Sequence, residues 1–238
     1  MGRVVSFANM PMEHAADGVA RGAITRDARE MAAEFVRIAP GKRFAASVPR
    51  GSDGYLFALA GATELSSGAQ RHRVEPHSFA TVEEATEFTL DNTGTATAEL
   101  VWVIAPPQPN NRAGFRGPIA VAQRATAPVV SVPEQKKTRI YFVDPAAARS
   151  ERGHAMIVGY ESDTVTGLHH HPDAESLFVV LDGALTFTVD DAQKIVRPGE
   201  AAWFGCNDPH GLRAADGCTA ASFLEFHIPA AYTTVKHA

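Results

Sequence analysis

The chain has 238 residues, of which 45% are hydrophobic, and it carries a formal net charge of −5 at pH 7. This length is sufficient for one large or two small domains with buried cores, so we expect a globular protein. The acidic balance disfavours nucleic acid and anionic membranes as main partners, because both are recognised through clustered Lys and Arg. We find no such cluster beyond Lys136-Lys137.

The chain start and the cysteines indicate the compartment. The first residues contain no apolar core of signal-peptide length, and no later segment approaches the roughly 18 consecutive apolar residues of a membrane span. A cytoplasmic location is therefore expected. Cys206 and Cys218 are the only cysteines, and their spacing supports neither a disulfide framework nor a structural zinc site.

In the first half of the chain, short apolar stretches are separated by Gly, Pro, Asn and Asp at spacings near ten residues. This pattern is typical of an antiparallel all-β sandwich or barrel, and long helical periodicity is absent from the sequence. The predicted strands are Gly18–Thr25, Met31–Ile38, Tyr55–Ala60, Glu64–Ser66, His72–Pro76, Phe79–Val82, Thr86–Leu90 and Ala98–Ala105.

Residues 106–137 interrupt this pattern. The segment begins with Pro106-Pro-Gln-Pro and is rich in Pro, Ala and Arg, which predicts a connector that crosses the surface. Strands are then predicted again at Arg139–Val143, Ala155–Tyr160, Leu177–Leu181, Ala184–Val189, Lys194–Val196, Ala201–Phe204 and Ser222–Ile228.

The second half repeats the first at a constant offset. Four pairs of similar residues are 122 positions apart: Gly61 and Gly183, Pro76 and Pro198, Val74 and Val196, Phe35 and Ile157. Shared turn residues and strands at one offset indicate an internal duplication. We therefore predict two domains, residues 1–105 and 138–238, joined by the connector 106–137.

Three histidines in the second half have the spacing of a metal site. His169 and His171 stand two residues apart in an extended stretch, and because side chains alternate faces along a strand, both point the same way while His170 points away. His210 follows after a Pro-Gly turn, a short strand and a polar loop. Neutral imidazoles and a carboxylate such as Glu175 are ligands that borderline divalent metals prefer, and such a set leaves coordination positions open.

These two stretches resemble the paired motifs of the cupin superfamily, G(X)5HXH(X)3-4E(X)6G and G(X)5PXG(X)2H(X)3N. His169, His171 and Gly183 match the first motif, while Gly199 and His210 match the spacing of glycine and histidine in the second. The resemblance implies an all-β fold of two antiparallel jelly-roll barrels in tandem. It also implies a divalent metal ion held by the three histidines in the C-terminal barrel, and a homodimer.

The chain departs from the first motif at the carboxylate. Glu175 satisfies the gap after His171 but stands one residue too far from Gly183, and Ser176 occupies the place counted back from that glycine. Two alternatives follow. Either Glu175 is the anionic fourth ligand, with a β-bulge absorbing the extra residue, or Ser176 or water fills that position.

At the same offset of 122, the first half lacks the metal ligands. The positions equivalent to His169, His171, Ser176 and His210 are Ser47, Pro49, Gly54 and Phe88. Glu175 corresponds to Asp53, which has no histidine beside it, whereas Asn92 stands where the second motif has its asparagine. We therefore expect residues 1–105 to form a degenerate barrel without a metal site.

Two further residues are candidates for catalysis. Glu225 and His227 share one face of the last predicted strand with Phe223. If that face looks into the barrel, they lie near the metal and the substrate; if not, they are exterior residues. Glu225, His227 or a Glu175 released from the metal is the group expected to move a proton.

The resemblance implies a metal-dependent enzyme that acts on a small molecule. The leading expectation is a non-haem Fe(II) dioxygenase for a small organic acid or phenolic compound, because a His and carboxylate ligand set with open positions accepts substrate and dioxygen together. One alternative is a redox-neutral isomerase, lyase or hydrolase that uses Mn, Ni, Zn or Fe as a Lewis acid. The other is a binding or sensor protein without catalytic activity.

Overall fold

The computed structural model describes residues 2–14, 17–107, 113–114, 118–143, 149–150 and 152–237. Within these ranges the chain forms antiparallel strands and a single short 3-10 helix, Pro133–Gln135. The predicted all-β class is therefore confirmed. None of the described residues belongs to a helix that is long and apolar enough to cross a membrane.

The strands up to the predicted connector are β1 (Arg3–Ser6), β2 (Glu13–His14), β3 (Val19–Ala23), β4 (Ala32–Ile38), β5 (Arg43–Ser47), β6 (Asp53–Ala60), β7 (Thr63–Ser67), β8 (Gln70–Val74), β9 (Ser78–Val82), β10 (Glu87–Asp91) and β11 (Ala98–Ala105). The later strands are β12 (Ala113–Gly114), β13 (Ile119–Gln123), β14 (Val130–Val132), β15 (Lys137–Val143), β16 (Arg149–Ser150), β17 (His154–Glu161), β18 (Val165–His170), β19 (Glu175–Asp182), β20 (Leu185–Val189), β21 (Ala192–Val196), β22 (Glu200–Phe204), β23 (His210–Ala214), β24 (Ala220–Ile228) and β25 (Val235–Lys236).

Two antiparallel sheets contain most strands of the first half. The N-terminal large sheet has the strand order β13-β9-β6-β11-β4-β3-β2, and the N-terminal small sheet has the order β5-β10-β7-β8. Alternate residues of these strands enclose an apolar cluster that includes Phe44, Phe88 and Trp102. The second face of the large sheet is also apolar, so it has a second packing partner.

The strands of the second half repeat this arrangement. The C-terminal large sheet has the order β1-β22-β19-β24-β17-β15-β14, and the C-terminal small sheet has the order β21-β20-β23-β18-β25. β6 begins at Asp53 and its counterpart β19 at Glu175, 122 residues later. Seven of the eight strands that recur between the halves begin 122 residues apart, so the repeat extends from the sequence to the strand order.

The halves exchange edge strands. β1 pairs with β22 of the C-terminal large sheet, although the sequence assigned residues 1–105 to the first domain. Within the predicted connector, β13 pairs with β9 of the first half and β14 with β15 of the second. Residues 108–112 and 115–117 of the predicted connector lie outside the described ranges. The domain boundaries themselves stay a prediction.

The two large sheets pack face to face through a second apolar cluster. It contains Phe57 and Phe79 from the first half and Phe142 and Phe226 from the second, and the rings of Phe79 and Phe142 stack with centroids 4.7 Å apart. Each such fully buried side chain contributes roughly 1.5–3 kcal/mol to stability. Because this cluster covers one face of β19 and β24, the opposite face of both strands lines the interior of the C-terminal sheets.

Candidate metal centre

The structure brings the three predicted histidines together. His169 on β18 lies directly opposite His210, the first residue of β23, and His171 follows the end of β18. The ring centroids of His169 and His210 are 4.4 Å apart, and those of His169 and His171 are 5.0 Å apart. One ligand atom from each of the three lies within 4.8 Å of the others, and all three residues are buried.

Backbone carbonyls fix the orientation of each imidazole. His169 Nδ1 lies 2.8 Å from the Gly167 carbonyl oxygen, and His210 Nδ1 lies 2.9 Å from that of Asp208. His171 Nδ1 lies 2.8 Å from the carbonyl oxygen of Thr233. A carbonyl oxygen only accepts, so each Nδ1 carries the hydrogen and donates it. This tautomer leaves the lone pair of each Nε2 available for a metal ion.

The Nε2 atoms fit a divalent ion. Those of His171 and His210 are buried and have no hydrogen-bond partner among the described residues. Burial lowers the pKa of His171 to about 4 and that of His210 to about 3. Burial likewise lowers the pKa of His169, so all three rings are neutral near pH 7, as metal coordination requires. Buried polar atoms without a partner are costly in a protein, and a bound cation would satisfy these.

The C-terminal end of the chain forms one wall of the centre, which the sequence analysis missed. Besides the Thr233 carbonyl that holds His171, the ring of Tyr232 lies 4.8 Å from that of His171 and 4.3 Å from that of His227. The Asp173 carboxylate fixes this segment, since it accepts hydrogen bonds of 2.8 Å from both the backbone N–H and the hydroxyl of Thr233. No local sequence pattern links residues 60 positions apart.

The structure does not bring Glu175 to the histidines. Its carboxylate lies on the opposite face of β19, where its two oxygens accept backbone N–H groups of Arg29 (2.8 Å) and Met31 (3.1 Å). Ser176, the next residue, points toward the centre instead. We therefore remove Glu175 from the ligand set and from the acid–base candidates. The alternative of Ser176 or water at the fourth position is the one compatible with this geometry.

The other two catalytic candidates face the interior. His227 Nε2 lies 2.6 Å from Glu225 Oε1, and His227 Nδ1 lies 2.9 Å from Ser176 Oγ. The rings of His227 and His171 are 5.0 Å apart, so this pair adjoins the metal ligands. Burial alone would raise the pKa of the Glu225 carboxyl, but the adjacent His227 holds it below its usual range. Glu225 therefore remains ionised beside the histidine.

A cavity of about 250 Å³ lies between these groups and the metal ligands. Its charged lining includes Lys137 and Arg139 of β15, which the sequence analysis did not select. Lys137 Nζ donates a 2.8 Å hydrogen bond to Thr166 Oγ1, and burial lowers the pKa of this lysine. In the sequence, Lys137, Arg139 and Tyr141 are two residues apart, a spacing that places them on one face of a strand and could have indicated this polar lining. The aromatic walls are Tyr160, Phe178, Phe223 and Tyr232.

His170 lies outside the centre, as alternation along the strand predicts. Its Nδ1 is 2.8 Å from Nε2 of His237 in an exposed contact. Cys206 lines a different pocket, next to Glu175 rather than the metal ligands.

Comparison with known proteins agrees with this geometry. The cupin domain family matches residues 156–227, which include the three histidines, Glu225 and His227. Residues 156–227 are therefore a cupin domain, in agreement with the resemblance in the sequence. No curated protein matches this cupin.

Solved structures extend the cupin fold to nearly the whole chain. A protein from Pseudomonas aeruginosa described as glyoxylate-induced is 17% identical, with a TM-score of 0.77, over 100% of this chain and 90% of that one. The protein Ylba from E. coli is 8% identical, with a TM-score of 0.77 over 98% and 93%. The oxalate decarboxylase of Lactobacillus farciminis is 13% identical, with a TM-score of 0.72 over 98% and 88%. At these identities the similarity shows the fold alone.

Proposed function

We propose that this cupin is a metal-dependent enzyme that holds a small organic acid in the C-terminal cavity and moves a proton on it without net oxidation. The observation that carries the proposal is the Glu225–His227 pair, which lines the same cavity as His169 and His171, two of the three candidate metal ligands. A buried acid–base pair beside a metal site is the arrangement that proton transfer to a polarised substrate needs.

The ligand set favours Lewis-acid chemistry. The expectation of an iron oxygenase rested on a carboxylate among the ligands, but Glu175 is engaged by backbone N–H groups on the other face of β19. His169, His171 and His210 are neutral, so a divalent ion held by them would keep its full charge and polarise a substrate oxygen. Glu225 is the one carboxylate among the described residues that line the cavity, so it supplies the negative charge there.

The Glu225–His227 pair can hold a proton at a defined place. The carboxylate of Glu225 accepts from His227 Nε2, and the hydroxyl of Ser176 can donate to Nδ1 of the same ring. Ser176 thereby keeps the imidazole fixed while a proton passes between the pair and the substrate. The ring centroid of His227 lies 5.0 Å from that of His171, so a substrate bound next to His171 would lie close to the Glu225–His227 pair.

Two cations support an acidic substrate. Lys137 and Arg139 both line the cavity, and Arg139 Nε is buried without a hydrogen-bond partner among the described residues. A guanidinium and an ammonium in a partly dry cavity bind a carboxylate strongly. The fold shared with an oxalate decarboxylase, an enzyme named for a small dicarboxylic acid, is compatible with such a substrate.

The test is turnover in the strict absence of oxygen. Metal-loaded protein is incubated in D₂O with a panel of small hydroxy and oxo acids, and deuterium incorporation and products are followed by NMR. We expect turnover, and we expect Glu225→Gln to lower kcat by about 10²–10⁴-fold with unchanged metal content, because the neutral amide cannot accept the proton. Glu161→Gln, at an exposed position at the end of β17, is the matched control and keeps full activity.

The Fe(II) oxygenase is the second candidate, favoured by the four aromatic walls of the cavity, which would exclude water from a reactive centre. Turnover of the same acids or of phenols that requires oxygen, with oxygen consumed in proportion to product, would replace our proposal with this one. An anaerobic activity that survives Glu225→Gln would also contradict the proposed role of the pair.

A further inference from the structure

A second pocket, of about 430 Å³, lies on the opposite side of β19 from the metal centre. Glu175 lines this pocket, whereas its neighbour Ser176 is hydrogen-bonded to His227 on the other face of β19, so the strand separates the two sites. We call it the arginine pocket, because Arg3, Arg26 and Arg29 line it together with Trp203. Arg3 is on β1, the strand that the first half contributes to the C-terminal large sheet.

The three guanidinium groups differ from most others in the protein. Elsewhere, arginines pair with carboxylates, as in Arg21–Glu34, Arg37–Glu99, Arg43–Asp91, Arg124–Asp182 and Arg213–Asp216. Within the described ranges, the side chains of Arg3, Arg26 and Arg29 make no hydrogen bond or ion pair. Arg3 Nη1 is buried, and no described residue is its hydrogen-bond partner. Burial and the nearby charge of Arg26 lower the pKa of Arg3, which a bound anion would reverse.

Trp203 supplies an independent indication of a missing acceptor. It is the β22 residue paired with Arg3, only 7% of it is exposed, and it lines the arginine pocket. Its Nε1 is buried, and no described residue accepts its hydrogen. A buried indole N–H usually has a partner, so two unsatisfied donors next to each other favour an acceptor that is not part of this chain.

Among the described residues, no carboxylate of the pocket is a hydrogen-bond partner of Arg3 Nη1 or Trp203 Nε1. Glu175 accepts the backbone N–H groups of Arg29 and Met31, and Asp208 accepts that of Gly205 at 2.9 Å. Together with Asp27 they balance the formal charge of the three arginines. The pocket therefore has a surplus of hydrogen-bond donors rather than of charge, and its ligand must be rich in acceptors.

We propose that the arginine pocket binds the oxyanion of a small molecule, a phosphate or a carboxylate group, through Arg3, Arg26, Arg29 and the Trp203 indole. Guanidinium groups bind the paired oxygens of both groups in a bidentate manner, and the indole N–H adds a neutral donor. The cavity exceeds the size of a bare oxyanion, so the ligand carries further atoms. This site is separate from the one proposed for catalysis and does not depend on it.

The experiment titrates metal-loaded, full-length protein with inorganic phosphate in one arm and malonate in the other. Calorimetry gives the Kd, and tryptophan fluorescence reports on Trp203, because Trp102 is buried in the cluster of the first half. We expect saturable binding, and a Kd raised by about tenfold or more in the variant Arg26→Gln/Arg29→Gln, since two charge-assisted hydrogen-bond donors are lost. Both residues are exposed, so the variant keeps the fold.

Two controls distinguish this site from others. Arg50→Gln removes another exposed arginine, outside the pocket, and Lys137→Gln removes a cation of the metal cavity, which Trp203 does not line; both are expected to leave the Kd reported by Trp203 fluorescence within about twofold of wild type. The anion that binds with the lower Kd shows whether the pocket prefers a phosphate or a carboxylate group. The proposal is overturned if neither anion binds saturably, if Arg26→Gln/Arg29→Gln binds as wild type does, or if either control loses affinity as strongly as that variant.

Discussion

The two halves of this cupin share a strand order but differ in their interiors. Inside the first half, Phe88 packs edge-on against Trp102 with centroids 5.2 Å apart, and a side chain at Gly54 would collide with the Trp102 ring. Inside the second half, the positions equivalent to Phe88 and Gly54 hold His210 and Ser176, and Glu225 and His227 line a cavity of about 250 Å³. Large apolar rings therefore fill one interior, and smaller polar groups leave the other open.

Strand register sharpens this comparison. Trp102 pairs with Leu56, and Glu225 pairs with Phe178, the residue 122 positions after Leu56. In the same way Ile104 pairs with Gly54, and His227 with Ser176. The proposed acid–base pair thus occupies the positions that a tryptophan and an isoleucine fill in the first half. The interface between the halves is formed by the opposite face of each large sheet. The interior face can therefore hold either apolar or polar side chains without changing that interface.

Two buried carboxylates, Asp53 and Glu175, make contacts between the two halves. Asp53 and Glu175 are equivalent first residues of β6 and β19, and both are buried. Asp53 pairs with Arg152 of the second half at 2.7 Å, whereas Glu175 accepts backbone N–H groups from residues 29 and 31 of the first half. At this position neither half provides a metal ligand; both provide a contact across the interface.

The largest expected effect is on metal content. The variant His169→Ala/His171→Ala removes two of three ligands, so we expect near-stoichiometric metal in wild type and almost none in the variant, measured by elemental analysis of untagged protein purified without chelator. The matched variant of the first half, Ser47→Ala/Pro49→Ala, is expected to keep the metal. Equal metal in both variants would contradict the assignment. Iron in the wild type would favour the oxygenase, and manganese, nickel or zinc the redox-neutral enzyme.

A large loss of stability is expected from Arg152→Ala. The side chains of Arg152 and Asp53 are 6% and 0% exposed, so the variant leaves a buried carboxylate without its cation. Such a change costs about 3–5 kcal/mol in the free energy of unfolding, which chemical denaturation measures. Arg213→Ala removes an exposed ion pair and should unfold as wild type does. Equal unfolding midpoints for both variants would show that the Asp53 contact does not hold the halves together.

A smaller effect is expected from Glu175→Gln. The amide can accept one of the two backbone N–H groups but not both, so the free energy of unfolding should fall by about 1–3 kcal/mol. Because Glu175 faces away from the histidines, metal content should stay at the wild-type level. Loss of metal with unchanged stability would reverse our reassignment and restore this residue as a ligand.

Much of the fold could be predicted from the sequence. β6, β9, β11, β17 and β24 lie within two residues of their predicted bounds, since these strands have continuous apolar runs bounded by turn residues. β5 and β13 were missed because they are short, and β13 lies in the segment that was predicted to be a connector; each pairs with a strand of the first half, β10 or β9. The exchange of β1 into the second half has no local signal at all.

The sequence alone determined the three histidines, because the two-residue spacing of His169 and His171 sets their common face through local strand geometry, and the spacing of Gly199 and His210 matches the second cupin motif. The tertiary structure decided between Glu175 and Ser176. A shift of one residue along a strand reverses which side chain faces the interior, and only the pairing of β19 with β22 and β24 fixes that register. Lys137, the Thr233 carbonyl and the arginine pocket likewise come from distant segments, which meet only when the sheets pack.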